Sequence, residues 1–581
     1  MFHGVSQCLK TPASWSSSKG STQKLLSSHR NIADLGHPSP HSSQSSQNLL
    51  LLEIMNTECS TTSKVAGTAP PSYNFASSAT ASVNDDITTA KPPGNLDVGT
   101  PGVSVLIRNE EVRKPCVPPS FNTIVDWDGP DDLESPRNWS VTKKVTFVCV
   151  TSGMLQAVCF GSSVIAPAQK IIAAEFDVSL TIAQLTVALW ILGCFAGPLF
   201  SGPLSEMYGH LVPLAVGVSG MAILQIPIAI TSNIQTVLIC RFLSGAFGSG
   251  AFAIVPGMYF ELYEPTPRGV ALAVATISFN LGAVVGAIAG AYITYEIHWR
   301  WTAWITLIFI GFFLIVSIFT IQDSSGRSIL RSKAKRLRFE TGNGALHSRS
   351  EDSHTDFRDI TFKYFTKPLR MFRTEPILVV MTLYLTLVYG TLYLSYEAFP
   401  IVYQRRGWSP IASSLPFLAV TLGIITAFIV CSVFFLTWYK KHAITDQGSP
   451  NPELRLPPMI VGAAMLPLAL LWFGWSENVH WVSQILANYF ISLSLVLIFS
   501  CGIVYLVDLY QVHATSAISI HIVVRSLVAA SFPLWSTPMF SRLGVSWSLT
   551  LLALMSLILV PVPILLYIYG QKIRNCSRFS Y

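Results

Sequence analysis

From residue 145 to residue 569 one pattern recurs: a run of about twenty mostly apolar residues, followed by a polar break. A helix rises about 1.5 Å per residue, so a run of that length matches the ~30 Å hydrocarbon core of a bilayer. Twelve runs are present, at 145–166, 182–203, 211–231, 234–260, 270–293, 299–321, 377–403, 411–438, 457–475, 481–507, 514–540 and 547–569. Trp and Tyr stand at many of their ends, as in the aromatic belts of membrane interfaces. Backbone in lipid must satisfy its own hydrogen bonds, so runs this long predict helices. The predicted fold class is an all-α membrane protein with twelve transmembrane helices in two pseudo-symmetric six-helix halves. Composition agrees: 51% of the 581 residues are hydrophobic and 12% charged, against about 25% charged for a soluble domain. Soluble enzymes, transcription factors and disordered scaffolds are thereby excluded.

The remaining segments divide the chain. Residues 1–140 are rich in Ser, Thr and Pro, have no run of spanning length, and read as a disordered cytoplasmic tail. Leu49–Leu52 is too short to cross a bilayer, and Met55 is an alternative start. Residues 141–321 form the first half, 322–376 a central loop, 377–570 the second half and 571–581 a short tail. The central loop carries twelve Lys and Arg between Gln322 and Glu375. By the positive-inside rule this places the loop, and with it both termini, in the cytoplasm. The net charge of +7 then reports topology and lipid headgroups, and no nucleic-acid partner is expected. Under this orientation the sequons at Asn138 and Asn575 face the cytoplasm and carry no glycan. Six of the ten cysteines lie inside apolar runs, where Cys behaves as a small hydrophobe, and no CxxC pair or Cys/His cluster suggests a metal.

A short echo links the halves: Phe260-Glu261-Leu262-Tyr263 closes the fourth run, and Val507-Asp508-Leu509-Tyr510 closes the tenth. Parallel six-span repeats around a midplane site are a transporter architecture. No Gly-Lys dipeptide occurs, hence no P-loop, and neither HExxH nor GxSxG is present. Energy would come from an ion gradient.

Several stretches resemble the major facilitator superfamily, and within it the fungal twelve-span drug:proton antiporters, which include toxin and polyamine exporters. These are Trp127-Asp128-Gly129-Pro130-Asp131-Asp132 with Asn138-Trp139-Ser140, Gly202-Pro203-Leu204-Ser205-Glu206-Met207-Tyr208-Gly209, Arg241-Phe242-Leu243-Ser244-Gly245, Tyr505–Tyr510 and Pro561-Val562-Pro563. The resemblance covers residue 125 onward. It implies a proton-coupled efflux pump of the plasma membrane, monomeric and without a cofactor. Such a pump would move a hydrophobic or amphipathic small molecule by alternating access. A polyamine exporter is one alternative, and a non-transporting membrane sensor is another.

Charges inside spans are costly and mark sites. Glu397 is the first candidate proton acceptor, with Arg241, Asp508 and Arg525 as coupling charges. Arg241 has a plain alternative as a structural arginine satisfied by carbonyls. Glu206 is the expected latch acid. The basic residues that the family places after Gly209 are here His210-Leu211, so the latch pair would be His210 with Glu261, which a histidine makes pH-sensitive. Gly282, Gly286 and Gly290 share one helix face and suit close packing. Gly282-Ala283 stands where the family's antiporters carry Gly-Pro. Gln156, Phe160, Gln184, Asn280, Tyr389 and Tyr393 are candidate pocket residues, since amides and ring faces suit bulky ligands. His521, one turn before Arg525, reads as a packed histidine.

Overall fold

The computed structural model describes residues 124–349, 351, 357–442, 451–575 and 577, all within one compact unit. Leu49–Leu52 and Met55 lie outside the described residues. Among the described residues twelve helices are long and apolar enough to cross a membrane. Spans 1–6 are Val141–Glu175, Leu180–Gly202, Leu211–Ile230, Ile234–Leu262, Pro265–Ile297 and Trp301–Thr320. Spans 7–10 are Pro376–Arg405, Ala412–His442, Pro457–Trp475 and Trp481–Tyr510. Spans 11 and 12 occupy residues 514–574, with the break between them at Gly544, whose φ of +73° lies in the left-handed region open to glycine.

Local chemistry sets the ends. The Ser140 hydroxyl accepts from the Lys143 N–H and starts span 1, and Asn233 accepts from the Gln235 N–H at 2.9 Å and starts span 4. Pro265, Pro376 and Pro457 open spans 5, 7 and 9, where a missing N–H costs nothing.

Span 5 lies directly on span 1. A Cβ at Gly282 would sit 2.3 Å from the Gln156 carbonyl oxygen, and one at Gly290 2.1 Å from that of Val164. At Gly286 it would meet Ser163 Oγ and the Phe160 carbonyl. The three glycines thus let two backbones approach closer than any side chain allows. The halves meet where span 2 packs on span 11 and span 5 on spans 8 and 10.

The face carrying the central loop holds structure that hydropathy does not reveal. The loop forms two helices, α1 (Gly326–Thr341) and α2 (Phe357–Thr374). The segment 124–140, expected to be part of a disordered tail, is instead ordered against α1 and the strand that follows it. Its strand β1 (Ile124–Val125) pairs in parallel with β2 (His347–Ser348). Lys333 of α1 reaches Asp128 at 2.8 Å and Asp132 at 3.0 Å, and Arg336 meets Glu134 at 2.6 Å. Asp132 is held down to about 2, first by the N–H groups of Asp128 and Glu134 donating to it and then by Lys333. The Asn138 amide donates to the carbonyls of Pro130 and Asp132, so this sequon's side chain is spent inside the turn. Together these contacts form a strap across α1. Helix α2 packs on span 2 from one half and span 11 from the other.

Candidate functional site

At mid-depth between the halves lies a cavity of about 60 Å³. Span 1 supplies Leu155, span 4 Phe252 and Pro256, span 5 Thr276 and Phe279, span 10 Phe499, and span 11 His521 and Arg525. Apart from Thr276, His521 and Arg525 its walls are apolar, and among the described residues no acid lines it. Phe279 of the first half and Phe499 of the second are parallel to within 4°, with ring centroids 6.4 Å apart. The Arg525 guanidinium lies 4.2 Å from the Tyr389 ring centroid, 5.5 Å from that of Phe499 and 5.8 Å from that of Phe279. Among the described residues its Nε has no hydrogen-bond partner, and neither ring nitrogen of the fully buried His521 has one.

Beneath the cavity, toward the central loop, a buried ion cluster ties the halves together. Arg268 Nη2 of span 5 donates to Asp508 Oδ1 of span 10 at 2.6 Å. Arg455 Nε donates to the other oxygen, Oδ2, at 2.9 Å, and Arg455 Nη2 reaches the Pro265 carbonyl across the interface at 2.5 Å. Arg455 also lies over the Tyr439 ring at 3.4 Å, and Arg268 over Phe260 at 4.7 Å. One helical turn separates Arg268 from Leu272, which lines the cavity, so the cluster forms its floor.

The sequence candidates fall into distinct places. Arg241, 1% exposed, donates to the carbonyls of Thr186 (2.9 Å), Gly161 (2.7 Å) and Ser162 (2.9 Å), and so pins spans 1, 2 and 4 together. No ion pair joins it to an acid among the described residues, and its geometry is that of the structural alternative. Glu397 faces the Ser536 hydroxyl toward the end of span 11 that lies away from the central loop. His210 Nε2 lies 3.6 Å from Glu261 Oε1, an ion-pair separation too long for a hydrogen bond. Both residues belong to the first half, and both are tied to the central loop: the His210 N–H donates to Asp323, and Glu261 accepts from the Gly326 N–H. Glu206 lies in the helix Ala196–Tyr208, and its side chain is outside the described set.

Of the six pocket candidates, Tyr389 reaches the ring cluster beside the cavity, and Tyr393 follows it by accepting the Tyr389 hydroxyl at 3.1 Å. Phe160 packs edge-on against Phe309, away from the cavity, and Asn280 donates within its own helix to the Thr276 carbonyl. The Gln156 carbonyl abuts Gly282, and Gln184 is buried in span 2. None of these four lines the cavity.

Sequence reading passed over Arg268, Arg455, Phe279 and Phe499. The echo at Glu261 and Asp508 was the available signal. Each half sets the acid ending its fourth span against a base from the loop before its third span, His210 in one and Arg455 in the other.

Two helical halves around a central cavity, joined by a buried ion cluster on one side, make up a transporter architecture. The family model for the Major Facilitator Superfamily matches residues 154–533. A protein described as "Citrinin biosynthesis cluster MFS transporter mrr1", from Monascus ruber, is 40% identical over 462 residues, covering 79% of this chain and 92% of that one. "Ascochitine biosynthesis cluster MFS transporter" from Didymella fabae is 39% identical over 465 residues, covering 79% and 90%. The E. coli xylose transporter XylE, in a partially occluded inward-open structure, superposes with a TM-score of 0.54 at 14% identity, over 74% of this chain and 98% of that one; at this identity the likeness speaks for the fold. The chain belongs to the major facilitator superfamily and is a multi-pass membrane transporter, not an enzyme.

Proposed function

We propose that this transporter is a proton-driven exporter of small hydrophobic or amphipathic metabolites. It works by alternating access as a monomer in the plasma membrane, with the central loop and both ends of the chain toward the cytoplasm. The carrying observation is the mid-depth cavity floored by the Arg268–Asp508–Arg455 cluster, which bars the path toward the central loop while the halves are together. The twelve cations of that loop support the orientation. The relatives' names, which tie them to metabolite biosynthesis clusters, support metabolite cargo. A polyamine exporter gains no support from a cavity whose lining residues include no acid.

Glu397 remains the proposed proton acceptor, and the Ser536 hydroxyl beside it can follow its charge. The Ser536 hydroxyl donates to the Pro533 carbonyl at 3.0 Å, which leaves its oxygen free to accept. A protonated carboxyl can donate to that oxygen, whereas an ionised one draws the hydroxyl off Pro533 to donate to it. Proton uptake therefore remakes a contact on span 11, the helix that carries His521 and Arg525 and packs on span 2 of the other half.

The test uses liposomes containing the protein and loaded with a fungal culture extract, with released compounds read by mass spectrometry. An imposed pH gradient should drive a subset of compounds outward. A protonophore, or Glu397→Gln, should cut that release at least tenfold. Release that ignores both would overturn proton coupling.

A further inference from the structure

Among the described residues four arginines are buried: Arg241, Arg268, Arg455 and Arg525. The first spends its donors on three carbonyls, and the next two share Asp508. Arg525, 3% exposed, has neither a carbonyl nor a carboxylate partner among the described residues; three ring faces surround it. Ring faces attract a cation but leave the in-plane N–H groups unspent. A buried guanidinium without a counter-ion is costly unless something supplies one. One turn away on the same helix face, His521 is fully buried with both ring nitrogens unpartnered. The remaining polar lining group, the Thr276 hydroxyl, is already used, donating to the Leu272 carbonyl at 2.9 Å.

We propose that the central cavity takes an organic anion whose negative group, a carboxylate or phenolate, is carried on a flat aromatic ring. The anion fills the place of the counter-ion that Arg525 lacks, and His521 supplies a further hydrogen bond. The ring lies against Phe279 and Phe499. Those two faces belong to opposite halves, so a ring resting on both is gripped while the halves are close and released as they part. The present cavity is smaller than such a ligand, and separation of the halves about the floor cluster supplies the room. This assignment rests on the reading of the cavity as the cargo site and narrows the cargo to a charge and a shape.

Three probes with one ring system test it: 1-naphthoate, 1-naphthylmethanol and 1-naphthylmethylammonium, titrated calorimetrically into the full-length protein in nanodiscs. Naphthoate should bind at least tenfold more tightly than the alcohol, and the ammonium should bind most weakly. Arg525→Gln should weaken naphthoate at least tenfold while leaving the alcohol within twofold, and Arg525→Lys should restore part of the loss. His521→Asn, which keeps Arg525 in place, should weaken naphthoate severalfold and serves if Arg525→Gln does not fold. Equal binding of all three probes, binding of none, or naphthoate affinity unmoved by the variants would overturn the assignment. Proton coupling stands or falls separately. Naphthoate binding with gradient-independent release would sink the coupling alone, whereas gradient-driven release confined to neutral or cationic compounds would sink the anion site alone.

Discussion

Asp508 is the one acid between two buried guanidiniums contributed by opposite halves, Arg268 from the first and Arg455 from the second. Removing one partner of a buried ion pair typically costs about 3–5 kcal/mol, because the other charge is left uncompensated. Asp508→Asn therefore strands two cations side by side and should push the halves apart at this face. A cysteine at Thr276 in the cavity wall would report it: labelling by a membrane-impermeant maleimide from the central-loop side should rise at least tenfold in the variant. Unchanged labelling would show that the cluster does not hold the closed state. At this scale the sequence was half legible. Arg525 stands out because it interrupts an apolar run, and Asp508 because it closes one in an echo of Glu261. Arg268 and Arg455 sit at run edges, where a long cationic side chain ordinarily reaches outward to water, and only packing turns them inward. Arg241 was conspicuous too, yet its three carbonyl partners come from distant residues whose proximity no local pattern encodes.

Helices show the same split. The four-residue spacing of Gly282, Gly286 and Gly290 marks a close-packing face, but its partner, the backbone of span 1, emerges only from the fold. Gly282→Val should force its new carbons into the Gln156 carbonyl, and overpacking of this kind costs about 1–3 kcal/mol. Gly311→Val in span 6, with open space around its Cβ, is the control. Thermal unfolding in detergent should separate the two, with the midpoint falling several degrees for the first and staying in place for the second. The strap hides from hydropathy because its contacts are ionic. The charges that make α1 look like solvated loop are the ones Asp128, Asp132 and Glu134 grip. Its pH response follows from Asp132, which folding holds near 2. A depressed carboxyl contributes stability that is fully present above its ordinary value of about 4 and is lost as pH falls toward 2. Limited proteolysis of the segment before span 1 should therefore be flat from pH 8 to pH 5 and accelerate below pH 4, while Asp132→Asn should be cut readily throughout. Acceleration already near pH 6 would assign control of the strap to another group.

Across the whole molecule the halves repeat their fastenings with different chemistry. On the face opposite the central loop, Arg300 joins Glu175 and the Thr231 carbonyl in the first half. In the second, Arg406 donates to the carbonyls of Ser476, Glu477 and Val479. Each half is thus stapled internally on that face, while the Asp508 cluster on the other joins half to half. Hydropathy alone gave twelve spans and the six-plus-six division, because a bilayer imposes one length on every crossing helix. It could not give the cavity, which is a property of the interface between halves. The missing counter-ion of Arg525 also bears on membrane voltage. An anion leaving an inside-negative cell in exchange for one entering proton moves two charge equivalents in the favourable direction, about 4.6 kcal/mol per cycle at 100 mV. A neutral cargo moves one such equivalent, and a monovalent cation none. If the proposed proton-coupled export of an anion holds, the charge on one cavity wall sets how far membrane potential, with no pH difference at all, can empty the cell.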